Sequence, residues 1–328
     1  MTDDGPVPGR DVLVRYLALA LVWGASFLFI KVGLEGLSPP QVVLGRLGGG
    51  AVALAAVSVV TRRRLPRQVA VWGHLLVVAL VLCVVPFLLF SWAETRISSG
   101  LASIYNATTP LMTMLVALAA LPAERPSPSR LLGLVTGFAG VVLVLGPWEL
   151  GAGGGILGQV ACLGATACYG TATVYLRRFV SPLGLHPVQV ATVQVGLGAA
   201  VMLLAGPFVA AGPVHLTWRV VASVLMLGAL GTGLAYVWLN TIVARWGATN
   251  ASTVTYLTPL VGVVLGVVLL GETVTWNQPL GALLVVLGIA ISQDRIPLRR
   301  AGARTLRPVS GRRSGPAGED VDQLRVLR

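Results

Sequence analysis

Ser99, Ser103, Asn106 and Pro110 follow one another at steps of four, three and four residues, a spacing that sets them on one face of a helix. Hydroxyl and amide groups of this kind hold a polar ligand by hydrogen bonds. Ala248, Ser252, Thr255 and Pro259 repeat the stripe later in the chain. Each stripe ends at a proline, which frees a backbone carbonyl one turn earlier. The same groups also suit hydrogen bonding between helices. Arg46 interrupts an apolar stretch. At the centre of a membrane helix an arginine costs about 2.5–3.5 kcal/mol, so it must find carbonyls, a carboxylate or an anionic ligand group. Glu35 and Glu94 are the carboxylates that would make it a gate or a structural pair. Trp23, Ser26 and Ile30 share a helical face, and Tyr169, like Trp23, precedes a glycine. With Tyr105, Tyr236, Trp238 and Tyr256 they form an aromatic set with hydroxyl handles. These are binding groups.

Reactive chemistry is poorly represented. Glu35, Glu94, Glu124, Glu149, Glu272 and Asp294 all fall at the ends of apolar stretches or between them. His74 is the only histidine inside one, and packing is its expected role. Acid–base or nucleophilic catalysis needs paired, activated groups, so the chain is expected not to be an enzyme. Cys83, Cys162 and Cys168 lack ligand spacing and read as small buried residues. No metal or cofactor is expected. A proton relay commonly uses an intramembrane carboxylate. Its absence here predicts either passage driven by the ligand's own gradient or proton coupling through a less usual group.

The elements that must position these groups are apolar and long. The 328 residues are 55% hydrophobic and 11% charged, against about 25% charged in a soluble domain. Ten stretches near the length of a bilayer crossing are predicted at 15–31, 42–60, 69–92, 100–121, 131–146, 156–176, 188–209, 220–243, 249–270 and 280–292. The net charge of +12 does not indicate nucleic acid. Arg62, Arg63, Arg64 and Arg67 follow the second stretch, Arg177 and Arg178 the sixth, and Arg245 the eighth. Nine more arginines lie beyond Ser292. By the positive-inside rule both termini are cytoplasmic. The lipid bilayer is therefore the chain's solvent.

The hydrophobic part appears twice. An offset of 149 residues brings Pro110 onto Pro259, Ser103 onto Ser252 and Phe87 onto Tyr236. An offset of 148 brings Glu124 onto Glu272, Gly133 onto Gly281, Gly140 onto Gly288 and Arg46 onto Gln194. Five stretches per copy send the second copy into the membrane from the opposite side. The expected fold is all-α and integral to the membrane, with ten transmembrane helices in two inverted five-helix repeats. A cytoplasmic N-terminus at 1–11 precedes the repeats at 12–146 and 156–294, which a linker at 147–155 joins. A basic tail at 295–328, rich in Arg, Pro, Gly and Ser, reads as disordered. Gly45–Gly49, Gly133–Gly137 and Gly262–Gly266 have the spacing for close helix approach, suited to a tight bundle and, less directly, to a homodimer.

The segments WGASFLFIK (23–31), LGRL (44–47), SWAETRISSGLASIYNATTP (91–110) and GLVTGFAGVVL (133–143) resemble the EamA family of the drug/metabolite transporter superfamily. So do TYLTPL (255–260), GE (271–272) and GALLVVLG (281–288) in the second copy. The resemblance spans about residues 12–293. It implies a bacterial cytoplasmic membrane protein that exports amino acids or other small metabolites, with four helices of each half around a central path and peripheral fifth helices that can serve association. The expectation is a secondary transporter for a small polar metabolite, working by alternating access. Trp23, Ser26, Ser103, Asn106, Tyr169, Tyr236, Ser252 and Thr255 would line its site, and Arg46 would gate it or supply charge. The alternatives are a non-transporting sensor or assembly component, or an exporter of sugars, nucleosides or drugs.

Overall fold

The structure, a computed structural model, describes residues 9–62, 65–120, 127–146, 155–247, 251 and 253–293. Ser252, Glu124, the linker up to residue 154 and the tail lie outside them. Among the described residues, seven helices are long and apolar enough to cross a membrane: α1 (Arg10–Gly33), α2 (Pro39–Val60), α3 (Val69–Ala93), α4 (Ser99–Ala120), α5 (Pro128–Leu145), α7 (Pro187–Val209) and α8 (Trp218–Trp246). Three of the ten predicted stretches fall short of that standard. Helix α6 (Gly155–Tyr175) has the length but carries Gln159, Thr166, Tyr169 and Thr171. Helices α9 (Val254–Leu270) and α10 (Asn277–Ser292) are apolar but shorter.

Matched local chemistry starts matched helices. Ser38 precedes Pro39 at the head of α2, and its N–H donates to Gln41 Oε1 at 2.8 Å. His186 precedes Pro187 at the head of α7, and its N–H donates to Gln189 Oε1 at 2.9 Å. In both, proline supplies a preset φ and glutamine satisfies an otherwise orphaned donor. The two caps are related by the offset of 148.

The helices pack mostly across the two copies. Helix α1 lies on α9 and α8, while α6 lies on the corresponding α4 and α3; α2 packs on α8, as α7 packs on α3. The equivalent helices α2 and α7, α4 and α9, and α5 and α10 pack on each other. Close approach at these crossings needs glycine. A Cβ on Gly24 would stand 2.5 Å from Val261 Cβ, and one on Gly170 would stand 2.8 Å from the Met112 carbonyl carbon. Where α5 meets α10, a Cβ on Gly133 or Gly140 would strike the carbonyl oxygen of Gly288 or Gly281 at 2.5 and 2.7 Å. Val224 and Gly228 of α8 fill the groove over Gly45 and Gly49, and Ser103 and Glu272 that over Gly262 and Gly266. The three small-residue pairs are thus occupied within the chain.

Large apolar side chains such as Val52, Val59, Leu204, Phe208, Val268 and Leu283 are exposed around the bundle. In water such a surface is a liability, whereas hydrocarbon solvates it.

Candidate functional site

Two helices are wound wide at matching places in the two copies. In α3 the turns over Ala79–Val84 are π-helical, and in α8 those over Met226–Leu234 are. The offset of 149 carries residues 79–84 onto 228–233. A π turn displaces carbonyls from the regular ladder and re-aims neighbouring side chains. In α8 it turns the Gly231 carbonyl toward Trp23, whose Nε1–H donates to it at 3.3 Å. The same turn presents the Thr232 hydroxyl, which donates to Leu227 O at 3.1 Å and accepts from Arg46 Nε–H at 3.2 Å.

Arg46 lies seven residues, or about 10 Å, into α2. Its guanidinium stacks 3.7 Å from the centroid of Phe87. Tyr169, Tyr236 and Cys83 are close enough to interact with its charge, and Tyr236 in turn reaches the side chains of Gln194 and Cys83. Ser26 is buried; its hydroxyl donates to Val22 O at 2.9 Å and faces Gly231. Tyr169 also stacks on Phe90, with centroids 6.0 Å apart. Arg46, Tyr169, Tyr236 and Trp23 each keep part of their surface accessible. No carboxylate pairs with Arg46 among the described residues. The expected pairing with Glu35 or Glu94 is absent: Glu35 binds Arg219 at 3.3 Å, and Glu94 forms no hydrogen bond through its carboxylate. Stacking, a hydroxyl and accessible space replace the carboxylate.

The cluster consists of equivalent positions from the two copies: Arg46 with Gln194, Cys83 with Thr232, Phe87 with Tyr236, and Trp23 with Tyr169. Of the predicted site residues it gathers Trp23, Ser26, Arg46, Tyr169 and Tyr236. Phe87, Thr232, Gln194 and the Gly231 carbonyl join them without having been singled out as lining, although the repeat alignment marked Phe87 and Gln194. Gln194 is buried, and its Oε1 has no hydrogen-bond partner.

The polar stripes lie elsewhere. Ser103 is fully buried where α4 crosses α9, and donates to Gly100 O at 2.7 Å and weakly to Pro259 O at 3.5 Å. The carbonyls freed by the two prolines are occupied: Thr109 Oγ1 donates to Asn106 O at 2.7 Å, and Thr258 Oγ1 to Thr255 O at 3.1 Å. In both copies the threonine before the proline replaces the missing N–H. Asn106 and Thr255 are half-buried, and the Asn106 amide has no partner among the described residues. Among the described hydrogen bonds none ties Ser103, Asn106 or Thr255 to Arg46. His74 packs as expected, with Nδ1 2.8 Å from the Tyr175 hydroxyl and its ring stacked on Phe179.

An apolar helical bundle that keeps an arginine without a carboxylate in an accessible interior is a multi-pass membrane protein with a polar centre. The chain belongs to the EamA-like transporter family, whose model matches residues 12–146 and again 156–292. It is 26% identical over 282 residues to "Uncharacterized transporter YoaV" of Bacillus subtilis (strain 168), covering 85% of this chain and 95% of that protein. Two proteins named "Probable amino-acid metabolite efflux pump" are each 25% identical to it. That of Salmonella typhimurium matches over 87% of this chain and 95% of its own length, and that of Escherichia coli (strain K12) over 88% and 96%. A solved crystal structure superposes with a TM-score of 0.61 at 20% identity, covering 88% of this chain and 99% of its own. At that identity the likeness shows the shared fold.

Proposed function

We propose that the protein is a secondary transporter of the bacterial cytoplasmic membrane that exports an amino acid or a similar small metabolite bearing a carboxylate. The observation that carries this reading is Arg46, accessible inside the bundle and without a carboxylate partner. An incoming carboxylate would form charge-assisted hydrogen bonds there. Tyr169, Tyr236 and Trp23 would enclose the remainder of the ligand, and Gln194, Thr232 and Ser26 supply neutral hydrogen-bonding groups. Asn106 adds an unpartnered amide on α4. The names of the two efflux pumps point to the same substrate class.

All ten helices would cross the bilayer, as two inverted five-helix repeats over 12–146 and 156–294, with both termini cytoplasmic. Support comes from the side on which the arginines fall and from the matched caps, π turns and crossings. The connections at 34–38, 94–98, 210–217 and 271–276 would then face outward. Alternating access would rock the two copies about the Arg46 cluster.

The test is flux of labelled amino acids in proteoliposomes. Saturable flux of one member, lost in Arg46→Gln, supports the reading. Saturable flux insensitive to Arg46 moves the site toward Asn106. No flux of any amino acid from folded protein overturns the substrate class, and sugars and nucleosides become the next probes.

A further inference from the structure

The outward connections hold a second polar cluster. Lys31, Glu35, Glu94, Thr95, Leu270 and Glu272 border a cavity of about 480 Å³. Three of its four ionic groups are accounted for. Glu35 pairs with Arg219. The carboxylate of Glu272 accepts from the N–H of Ser99 at 2.7 Å, the N–H of Gly100 at 3.0 Å and the hydroxyl of Ser99 at 3.0 Å. Lys31 Nζ donates to the carbonyls of Glu94 and, at 2.8 Å, Ile97.

Glu94 is the exception. Its side chain is fully buried, and neither carboxylate oxygen has a hydrogen-bond partner. The residue was expected at the end of a stretch, and it does follow α3 directly. The packing of α1, α4 and the 271–276 connection nevertheless removes it from water. A buried carboxylate without donors bears its whole desolvation cost as an anion and far less as a neutral acid. The charged and titratable groups facing it are Lys31 on α1, Arg46 on α2, Cys162 on α6 and Glu272 before α10, with Glu35 across the cavity. Arg96, although near in sequence, turns away onto Trp92 and the Thr95 hydroxyl. Burial pushes the Glu94 carboxyl well above the ordinary carboxylate range; Lys31 opposes this, Glu272 adds to it and Arg46 opposes it.

We propose that Glu94 is a proton-binding site, holding a proton while the outward connections are tied together and releasing it to water when they part. The geometry supplies the switch. The bonds that Ser99 and Gly100 donate to Glu272 join the first copy to the second beside Glu94; Glu35–Arg219 and the bond from His215 N–H to Gly36 O at 2.9 Å also join the two copies. Separating them would admit water to the carboxyl and draw the Glu272 carboxylate away from it, and both changes favour the anion. The tied state therefore binds the proton more tightly. By linkage, acid stabilises it, and that stabilisation fades as pH rises through the carboxyl's midpoint in the tied state. Acid outside would then return the protein to its outward-closed form after each release of ligand. This last link rests on the transporter reading; the proton site itself does not.

The test is infrared titration of the full-length protein in lipid vesicles, following the C=O stretch of protonated carboxyl groups without any substrate. The wild type is expected to show one such band titrating above the ordinary carboxylate range. It should disappear in Glu94→Gln and persist, with a lowered midpoint, in Glu272→Gln. Persistence in Glu94→Gln, or no such band in the wild type, overturns the proposal. Should the glutamine variant not fold, Glu94→Asp must shift the midpoint, and an unmoved band overturns it equally. Because no transported molecule is present, failure here is distinct from failure of the amino-acid flux assay.

Discussion

Arg46 concentrates the electrostatic cost of the interior, and its surroundings say what it lacks. Stacking on Phe87 contributes on the order of 0.5–2 kcal/mol, and the single bond to Thr232 leaves its other N–H groups free for a ligand. A charge-assisted bond contributes about 1.5–3 kcal/mol, so Arg46→Gln should lower kcat/KM for a carboxylate-bearing substrate by about ten- to a hundredfold. Flux with the corresponding amide or ester should change far less. An equal loss for both ligands would mean that Arg46 serves the bundle and not the carboxylate. Legibility at this scale was uneven. The charge of Arg46 and the aromatics Trp23, Tyr169 and Tyr236 were visible as residue types out of place in apolar helices. Ser103 and Thr255 gave the same signal, yet Ser103 is spent on a helix crossing. A hydroxyl that binds ligand and one that binds a neighbouring helix are chemically identical in sequence.

Helices carry the next layer of information. The prolines at 110 and 259 suggested free carbonyls, but Thr109 and Thr258 had already taken them. Replacing either threonine with valine removes the hydroxyl while keeping the shape. We expect each change to destabilise the protein by about 1 kcal/mol, by a similar amount in both copies, as read by thermal unfolding in detergent. A loss in only one copy would show that the two kinked helices are not equivalent. At the crossing of α5 and α10, Gly140→Ala forces a methyl against the Gly281 carbonyl, and overpacking of this kind costs about 1–3 kcal/mol. The same assay should register it, with no change in transport selectivity. Glycine spacing in the sequence announced a close crossing but not its partner, because Gly133, Gly137 and Gly140 would serve a second copy as well as α10. The π turns in α3 and α8 had no signal of their own. Their matched positions lie under the same offset that aligns Phe87 with Tyr236.

At the scale of the molecule, the duplication was the most legible feature. It aligns Arg46 with Gln194 and Phe87 with Tyr236 from the sequence alone, and those pairs form the central cluster. Burial was least legible. Glu94 reads as a loop carboxylate from its place in the chain, and only the assembled connections enclose it. The proposed orientation makes a direct prediction. In intact cells, an impermeant thiol reagent should label His215→Cys readily and Arg67→Cys only after the membrane is permeabilised. The reverse pattern would invert the assignment of the two faces, and with it the side from which Glu94 receives its proton.

The pairing of Arg46 with Gln194 has one more consequence. If two inverted copies were identical in sequence, the inward-facing and outward-facing forms would be the same shape turned over, and neither would be preferred. Every unmatched pair at the centre breaks that degeneracy, and a cation opposite a neutral amide breaks it more than any other pair in the cluster. In the proposed transporter, the resting direction would thus be written in a difference between its halves. Exchanging the two residues, Arg46→Gln with Gln194→Arg, would keep the composition and the total charge and should tilt the empty protein toward the opposite face.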